Sequence, residues 1–260
     1  MRGKALESIN PAFQRLAIIT GTEKLKALER KRVLVFGIGG VGSWAAEALA
    51  RSDIGCIALV DSDKVCITNI NRQSEAFVSS LGKAKVEALR ERLLDINPRC
   101  TIETREEVYS RENSALFGIE EADYVIDAID SLSNKLDLIE ACARAGVRVY
   151  SSMGMAGKLD PTCIKTADIW QTHGCALARL VRQGLKKRGF SGSFTAVYSA
   201  ENLPRHDEIP VSCGSGACFC SPGEHEWCSS KKIINGSSVM VTAAAGMVLA
   251  SLVIRDITGL

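Results

Sequence analysis

Residues Lys31–Val65 read KRVLVFGIGGVGSWAAEALARSDIGCIALVDSDKV. RVLVFGIGG is an apolar run that enters a glycine turn, the pattern of a buried strand. VGSWAAEALARSD follows as an alanine-rich helix ended near Gly55, and CIALVD is a second buried strand. Strand, helix and strand in so short a span make a parallel crossover unit. Within it Gly37, Gly39 and Gly42 have the spacing G-x-G-x-x-G. The first glycine permits a tight turn, the second lets a phosphate approach the backbone, and the third lets helix and strand pack closely. The helix start offers free N–H groups to an anion. Asp61, at the end of the second strand, is placed to meet ribose hydroxyls. The stretch predicts a nucleotide site.

The alternation continues outward. GKAKVEALRERLLDINP reads as a helix stopped at Pro98, with Lys85 one turn inside it. TIETR alternates like a strand, and ADYVIDAID is another buried strand. SNKLDLIEACARAG reads as a helix with Ser133 as its cap and Gly146 as its stop. VRVYSS is a further strand. The class is α/β, a doubly wound sheet with helices on both faces. After Ser152 the pattern changes to a glycine-rich connection, MGMAGKLDPT, then a basic amphipathic helix, CALARLVRQGLKKRG, and a strand, FTAVYS. Residues 1–150 are read as the nucleotide half, and 151–260 as a smaller half packed on the same sheet for substrate and dimerisation.

Hydrophobic residues make up 46% of the 260 and charged residues 24%, ordinary for a globular protein. The net charge of +2 gives no global field toward nucleic acid. The start MRGKALESIN has no apolar core, so the ten cysteines are expected as free thiols in a reducing cytoplasm. Cys56, Cys66, Cys100, Cys142 and Cys163 lie singly in apolar or strand-like runs, as small buried hydrophobes do. The uncharged run Ile233–Ile254 has the length of a membrane span, but polar residues open it. A buried helix, at a subunit interface, is the expectation, with no membrane contact.

The glycine fingerprint alone suggests NAD. The residues downstream of it argue otherwise. Asp63, Asn69, Asn71, Arg72 and Gln73 come directly after Asp61, Lys85 lies beyond them, and Asp130 with Ser131 ends the later strand. Arg and Lys neutralise phosphate charge, and a carboxylate holds a metal. That set suits a triphosphate and its magnesium better than a nicotinamide.

At these residues the chain resembles the ThiF/MoeB/ubiquitin-activating superfamily of adenylating enzymes, in GIGGVGS, LVDSDKVCITNINRQ, GKAKVEALRERLLDINP and VIDAIDS. The resemblance implies a Rossmann-like fold that binds ATP and magnesium. It implies that Gly40 and Asp61 hold the nucleoside, that Asn69, Arg72 and Lys85 hold phosphates, and that Asp130 holds magnesium. FQRLAIITG resembles the segment whose arginine, here Arg15, reaches the ATP of the neighbouring subunit in a homodimer. Arg15, Arg72, Lys85 and Asp130 form the implied catalytic set. Whether a monovalent cation also binds is open.

Activators of ubiquitin-like sulfur carriers in that superfamily usually carry two CxxC pairs, and this sequence has none. SSMGMAGKLDPT, ADIWQTHGCALARLVRQGLKKRG and VYSAEN instead resemble the tRNA threonylcarbamoyladenosine dehydratase branch. That branch implies a tRNA partner, adenylation of a carboxylate on a modified adenosine, and ring closure with loss of water. Activation of a sulfur-carrier protein is the alternative, and a Rossmann oxidoreductase or silent nucleotide binder a more distant one. Cys213, Cys218, Cys220 and Cys228, with His225, could bind zinc, form a flexible thiol-bearing loop, or belong to an oxidised or unrelated loop. Cys228 is also a candidate for a persulfide supplied by a cysteine-desulfurase-type donor. Arg179, Arg182, Lys186, Lys187 and Arg188 make a solvated face or a tRNA phosphate patch. His173 is an acid–base candidate or a structural histidine.

Overall fold

A computed structural model describes residues 9–204 and 235–260. Two short helices come first, α1 (Gln14–Thr20) and α2 (Thr22–Leu28), parted at Gly21, whose φ of +83° no ordinary helix residue adopts. The crossover unit comes next as β1 (Arg32–Phe36), α3 (Gly42–Ala50) and β2 (Cys56–Val60). Then come α4 (Lys85–Ile96), β3 (Thr101–Arg105), β4 (Tyr124–Asp127), α5 (Leu132–Ala145) and β5 (Arg148–Ser152). The second half adds β6 (Ile164–Asp168), α6 (Ala176–Lys187), β7 (Thr195–Ser199) and α7 (Val239–Thr258).

All seven strands form one sheet in the order β3-β2-β1-β4-β5-β7-β6. Every neighbouring pair is parallel except β6 with β7. The strand order reverses between β1 and β4, which opens a crevice at their carboxyl ends, the place where such sheets bind ligands. Register sets Phe36 beside both Val60 and Asp127. Gly37, Asp61 and Ala128 therefore leave the sheet at one level.

Alternation along the strands builds two cores. Val33, Val35, Ile57 and Leu59 face α2, α3, α4 and α7. Leu34, Phe36, Ala58 and Val60 face α5, α6 and the Tyr109–Phe117 aromatic pair. Each buried Val, Leu, Ile or Phe among them contributes roughly 1.5–3 kcal/mol. The Ile233–Ile254 expectation resolves into α7, twenty residues with a mean hydropathy of 1.7 over its most apolar window, long and apolar enough to cross a bilayer. Here Val241, Ala245, Leu249 and Val253 pack into the first core. A Cβ at Gly246 would lie 2.5 Å from the Val41 carbonyl oxygen, so α7 rests directly on α3.

Local details differ from the sequence reading. The cap position of α5 is Ser131, and no side chain caps it; the Ser133 hydroxyl instead meets Ser131 and Asn134. Lys85 is the first residue of α4, because Gly82–Ala84 run outside the helix and Ala84 bridges to Lys64. Strand β6 is new relative to that reading: Lys165 and Thr166 are exposed on this edge strand, so it has no apolar run.

Candidate nucleotide site

The glycine loop is built by contact. Gly37 has φ +86°, and a Cβ there would stand 2.7 Å from the Ala128 carbonyl oxygen. A Cβ at Gly42 would stand 1.9 Å from the Gly37 carbonyl oxygen. Gly39 differs, since the nearest atom to its missing Cβ is Gln73 Nε2 at 3.9 Å. Gly40 abuts Arg72 Cγ and the side chain of Thr242, both 3.2 Å from a notional Cβ. The loop is thus closed to side chains where it meets the protein and open beside Gly39, the cradle a phosphate needs.

Asp61 leaves β2 directly under this loop. Its Oδ2 accepts the Ile38 N–H at 2.6 Å and its Oδ1 accepts the Asp63 N–H at 2.8 Å. Each oxygen keeps a second lone pair for a ligand hydroxyl. Burial pushes the Asp61 carboxyl up, and the nearby Lys85 ammonium opposes that rise. Lys85 is itself buried, with Nζ 2.8 Å from Asp63 Oδ2 and 3.9 Å from Asp61 Oδ1. Burial works against its charge, but the two carboxylates more than offset this and hold the ammonium above its usual range.

The loop after β2 brings the remaining polar residues to the same edge. Asn69 is buried, and its Oδ1 accepts the Cys66 N–H at 2.9 Å. Asn71 Nδ2 donates to the Ser237 carbonyl at 2.9 Å, which ties the loop to the start of α7. Arg72 Nη1 donates to Thr68 O and Asn71 Oδ1, while Trp44 Nε1 donates to the Arg72 carbonyl. Burial lowers the Arg72 pKa, which marks a guanidinium short of compensating charge. Gln73 is buried and its Oε1 accepts no hydrogen bond from the protein. An orphaned oxygen beside an open cradle fits a site meant for a polar ligand.

Asp130 is exposed on the turn between β4 and α5, next to Ser131, and the turn packs on Gly37. Among the described residues no three His, Cys, Asp or Glu converge on a metal position. Magnesium that arrives on a triphosphate needs only one or two protein carboxylates, so Asp130 alone fits that role. Arg15 is exposed on α1, on the helix that also exposes Ile18 and Ile19 at 80% and 74%. Cys213, Cys218, Cys220, Cys228 and His225 lie outside the described residues; the described cysteines are free thiols, Cys100, Cys142 and Cys175 buried, but Cys56, Cys66 and Cys163 only half-buried, against the expectation of buried side chains. Of the α6 cations, Arg188 is spent on Asp137 and Glu140, and Arg182 on Thr172. Arg179, Lys186 and Lys187 remain on the exposed face, with Lys186 over the Trp170 ring. His173 Nδ1 meets the Tyr198 hydroxyl at 3.2 Å.

Sequence reasoning misses three groups here. Glu75 is buried, neither of its carboxylate oxygens has a hydrogen-bond partner, and burial pushes it up to about 7. No periodic pattern announces it. Thr242 touches the glycine loop from α7, far away in sequence. Lys135 is fully buried against Asp127; its signal is a lysine on the apolar helix face of Leu138, Ile139 and Cys142.

These features define a nucleotide-binding α/β protein of the adenylating kind, and the chain belongs to the ThiF family, which it matches over residues 13–259. It is 37% identical over 245 residues to the tRNA threonylcarbamoyladenosine dehydratase of Bacillus subtilis, spanning 94% of each chain. Its fold is similar to the crystal structure of the Escherichia coli tRNA N6-threonylcarbamoyladenosine dehydratase TcdA in complex with ATP, with a TM-score of 0.80 at 34% identity over 95% of this chain and 94% of that one. The similarity to the adenylyltransferase and sulfurtransferase MOCS3 of Drosophila grimshawi, 37% identical, covers 51% of this chain and 29% of that protein.

Proposed function

We propose that the chain is an ATP-dependent tRNA threonylcarbamoyladenosine dehydratase. The observation that carries this reading is the extent of the likeness. The dehydratase of Bacillus subtilis aligns over 94% of the chain, whereas the adenylyltransferase and sulfurtransferase MOCS3 aligns over 51% of it.

The chemistry suits the site. A carboxylate is a poor electrophile because oxide would have to leave. Attack of the threonylcarbamoyl carboxylate on the α-phosphate of ATP releases pyrophosphate and gives an acyl-adenylate. The carbamoyl oxygen then attacks the acyl carbon, AMP departs, and a nitrogen proton is lost as the ring closes. The nucleophile is tethered, so effective molarity supplies much of the rate. No enzyme nucleophile is required.

Each residue has a part in this reading. Asp61 receives the ribose hydroxyls, and the loop from Gly37 to Gly42 with the start of α3 receives phosphate oxygens. Asn69, Asn71, Arg72 and Gln73 line the same edge. Lys85, now balanced by Asp63, exchanges that exposed carboxylate for a phosphate oxygen when ATP enters. Asp130, with Ser131 beside it, would hold the magnesium, which would supply charge neutralisation on the phosphates. Arg15 reaches the ATP of a second copy in a homodimer; the exposed Ile18 and Ile19 on its helix support an interface there. Arg179, Lys186 and Lys187 contact tRNA phosphates. A cysteine-desulfurase-type donor would act at Cys228, outside the described residues. A tRNA substrate supports a cytoplasmic location, with α7 packed on the protein core. ATP–pyrophosphate exchange tests the reading: it should require tRNA that carries threonylcarbamoyladenosine, and exchange driven by a Gly-Gly-terminated protein instead would refute it.

A further inference from the structure

We propose that Lys135 is a positioning residue, which acts through Asp127 to aim Asp130 at the nucleotide's metal. The inference rests on the reading of Asp130 just given.

Lys135 and Asp127 are both fully buried, with Nζ 2.7 Å from Asp127 Oδ2. The ammonium also donates to the Ser152 carbonyl at 3.0 Å and to Ser151 Oγ at 3.3 Å, which uses its three protons. Ser151 Oγ in turn donates to Asp127 Oδ2 at 2.6 Å. The other carboxylate oxygen, Oδ1, accepts the Ile129 N–H at 3.1 Å. One closed network therefore joins the end of β4, the end of β5, the first turn of α5 and the β4–α5 turn.

Stability does not account for such a pair. Apolar residues of similar volume hold a core at least as well, because burying two charges costs most of what their attraction returns. Apart from these polar partners of its ammonium, Lys135 sits among apolar residues of its own helix, with Leu136, Leu138, Ile139 and Cys142 buried there. What the network delivers is geometry. The bond to Ile129 N–H fixes the residue immediately before Asp130. The same turn is pressed on the glycine loop: Ala128 O and Ile129 N lie 2.7 and 3.0 Å from where a Gly37 Cβ would stand. Any loosening of Asp127 shifts Asp130 relative to the phosphate cradle. A carboxylate that ligates a metal is oriented by the groups that hold its own backbone and side chain, and loss of such a group costs about 10–100-fold in metal affinity.

The test measures metal binding apart from turnover. Mn2+ affinity of the ATP-loaded full chain is read by electron paramagnetic resonance, and ATP affinity in EDTA by calorimetry. Lys135→Met should weaken Mn2+ by about tenfold or more while ATP affinity without metal is unchanged. Asp130→Asn should weaken Mn2+ as well, and the double variant should be no worse than Asp130→Asn alone, since both act on one ligand. Asp127→Leu with Lys135→Met removes both charges together, so it avoids a lone buried carboxylate and keeps the test open if Lys135→Met does not fold. Ser151→Ala, which removes a single hydrogen bond from Asp127, should give a smaller weakening in the same direction. Folded variants at Lys135 with normal Mn2+ affinity, or effects of Lys135→Met and Asp130→Asn that multiply, overturn the inference. If the Lys135 variants do not fold, unchanged Mn2+ affinity in Ser151→Ala does so. Normal Mn2+ affinity in Asp130→Asn itself overturns the metal reading of Asp130, and the inference falls with it.

Discussion

Adding one methyl group to the glycine loop should have opposite consequences three residues apart. At Gly42 a Cβ meets the Gly37 carbonyl oxygen at 1.9 Å and the Gly37 carbonyl carbon at 3.1 Å. Both partners are backbone, so no side chain can rotate away. The helix must lift from the strand by roughly 1 Å, and overpacking of this kind costs about 1–3 kcal/mol. The helix preference of alanine returns about 1 kcal/mol. With an immovable neighbour the cost lies at the upper end, so Gly42→Ala should lose about 2 kcal/mol net, a fall of roughly 4–8 °C in melting temperature for a chain of this size. At Gly39 the nearest atom is 3.9 Å away and φ is not positive, so Gly39→Ala should melt within about 0.5 kcal/mol of the wild type. Its methyl instead fills the open side of the cradle. Loss of one charge-assisted phosphate hydrogen bond, about 1.5–3 kcal/mol, lowers ATP affinity by about 10–100-fold. Differential scanning calorimetry and titration calorimetry with ATP read the two effects. Gly42→Ala with wild-type melting, or Gly39→Ala with wild-type ATP affinity, would refute the cradle.

Arg72→Ala or Lys85→Ala should abolish ATP-dependent turnover with the fold retained by circular dichroism; near-normal turnover of either at saturating ATP would remove that residue from the phosphate site. Glu75, held at about 7 by burial, binds its proton more tightly folded than unfolded, so its favourable contribution is complete below about pH 4.5 and is lost as pH rises through 7. Glu75→Gln should therefore match the wild type in urea melts at pH 4 and exceed it by about 3 kcal/mol at pH 8; equal stability at both would contradict the burial of a lone carboxyl. Mixing inactive Arg15→Ala and Asp130→Ala subunits should restore activity to a ceiling of roughly a quarter of wild type, because half of random dimers hold one intact site of two; no recovery after verified subunit exchange would end the trans role of Arg15.

The Lys31–Val65 stretch is enough to expect the crossover, and the later apolar runs enough to expect a doubly wound sheet, because buried strands and helices announce themselves by period. The edge strand β6 escapes for the converse reason: with Lys165 and Thr166 in solvent it carries no apolar run to find. The same limit applies at the site. Asp61, Lys85 and Asp130 lie at or near strand and helix ends, where position in the motif predicts the edge they face, and Arg72 lies in the loop between two of them. Composition sets Lys85 a turn too deep because Gly82–Ala84 look helical but are held out by the Lys64–Ala84 bridge. Thr242 reaches the loop only through the close fit of Gly246 on α3, a contact between distant segments that no local pattern encodes. Lys135 is the intermediate case: its position on an apolar helix face is visible in the sequence, but its partner Asp127 is not, since that pairing depends on where β4 ends.

Dehydration of a modified tRNA adenosine at the expense of ATP changes the mass of the nucleoside, and mass spectrometry of tRNA nucleosides reads that change. The purified chain is incubated with ATP, magnesium and tRNA that carries threonylcarbamoyladenosine, and the tRNA is then digested under mild conditions that preserve a cyclic product. The threonylcarbamoyladenosine peak should shift down by the mass of one water, only when ATP is present, with one AMP formed per nucleoside converted. An unshifted peak alongside intact ATP, from a chain shown to bind ATP, would contradict the dehydratase reading.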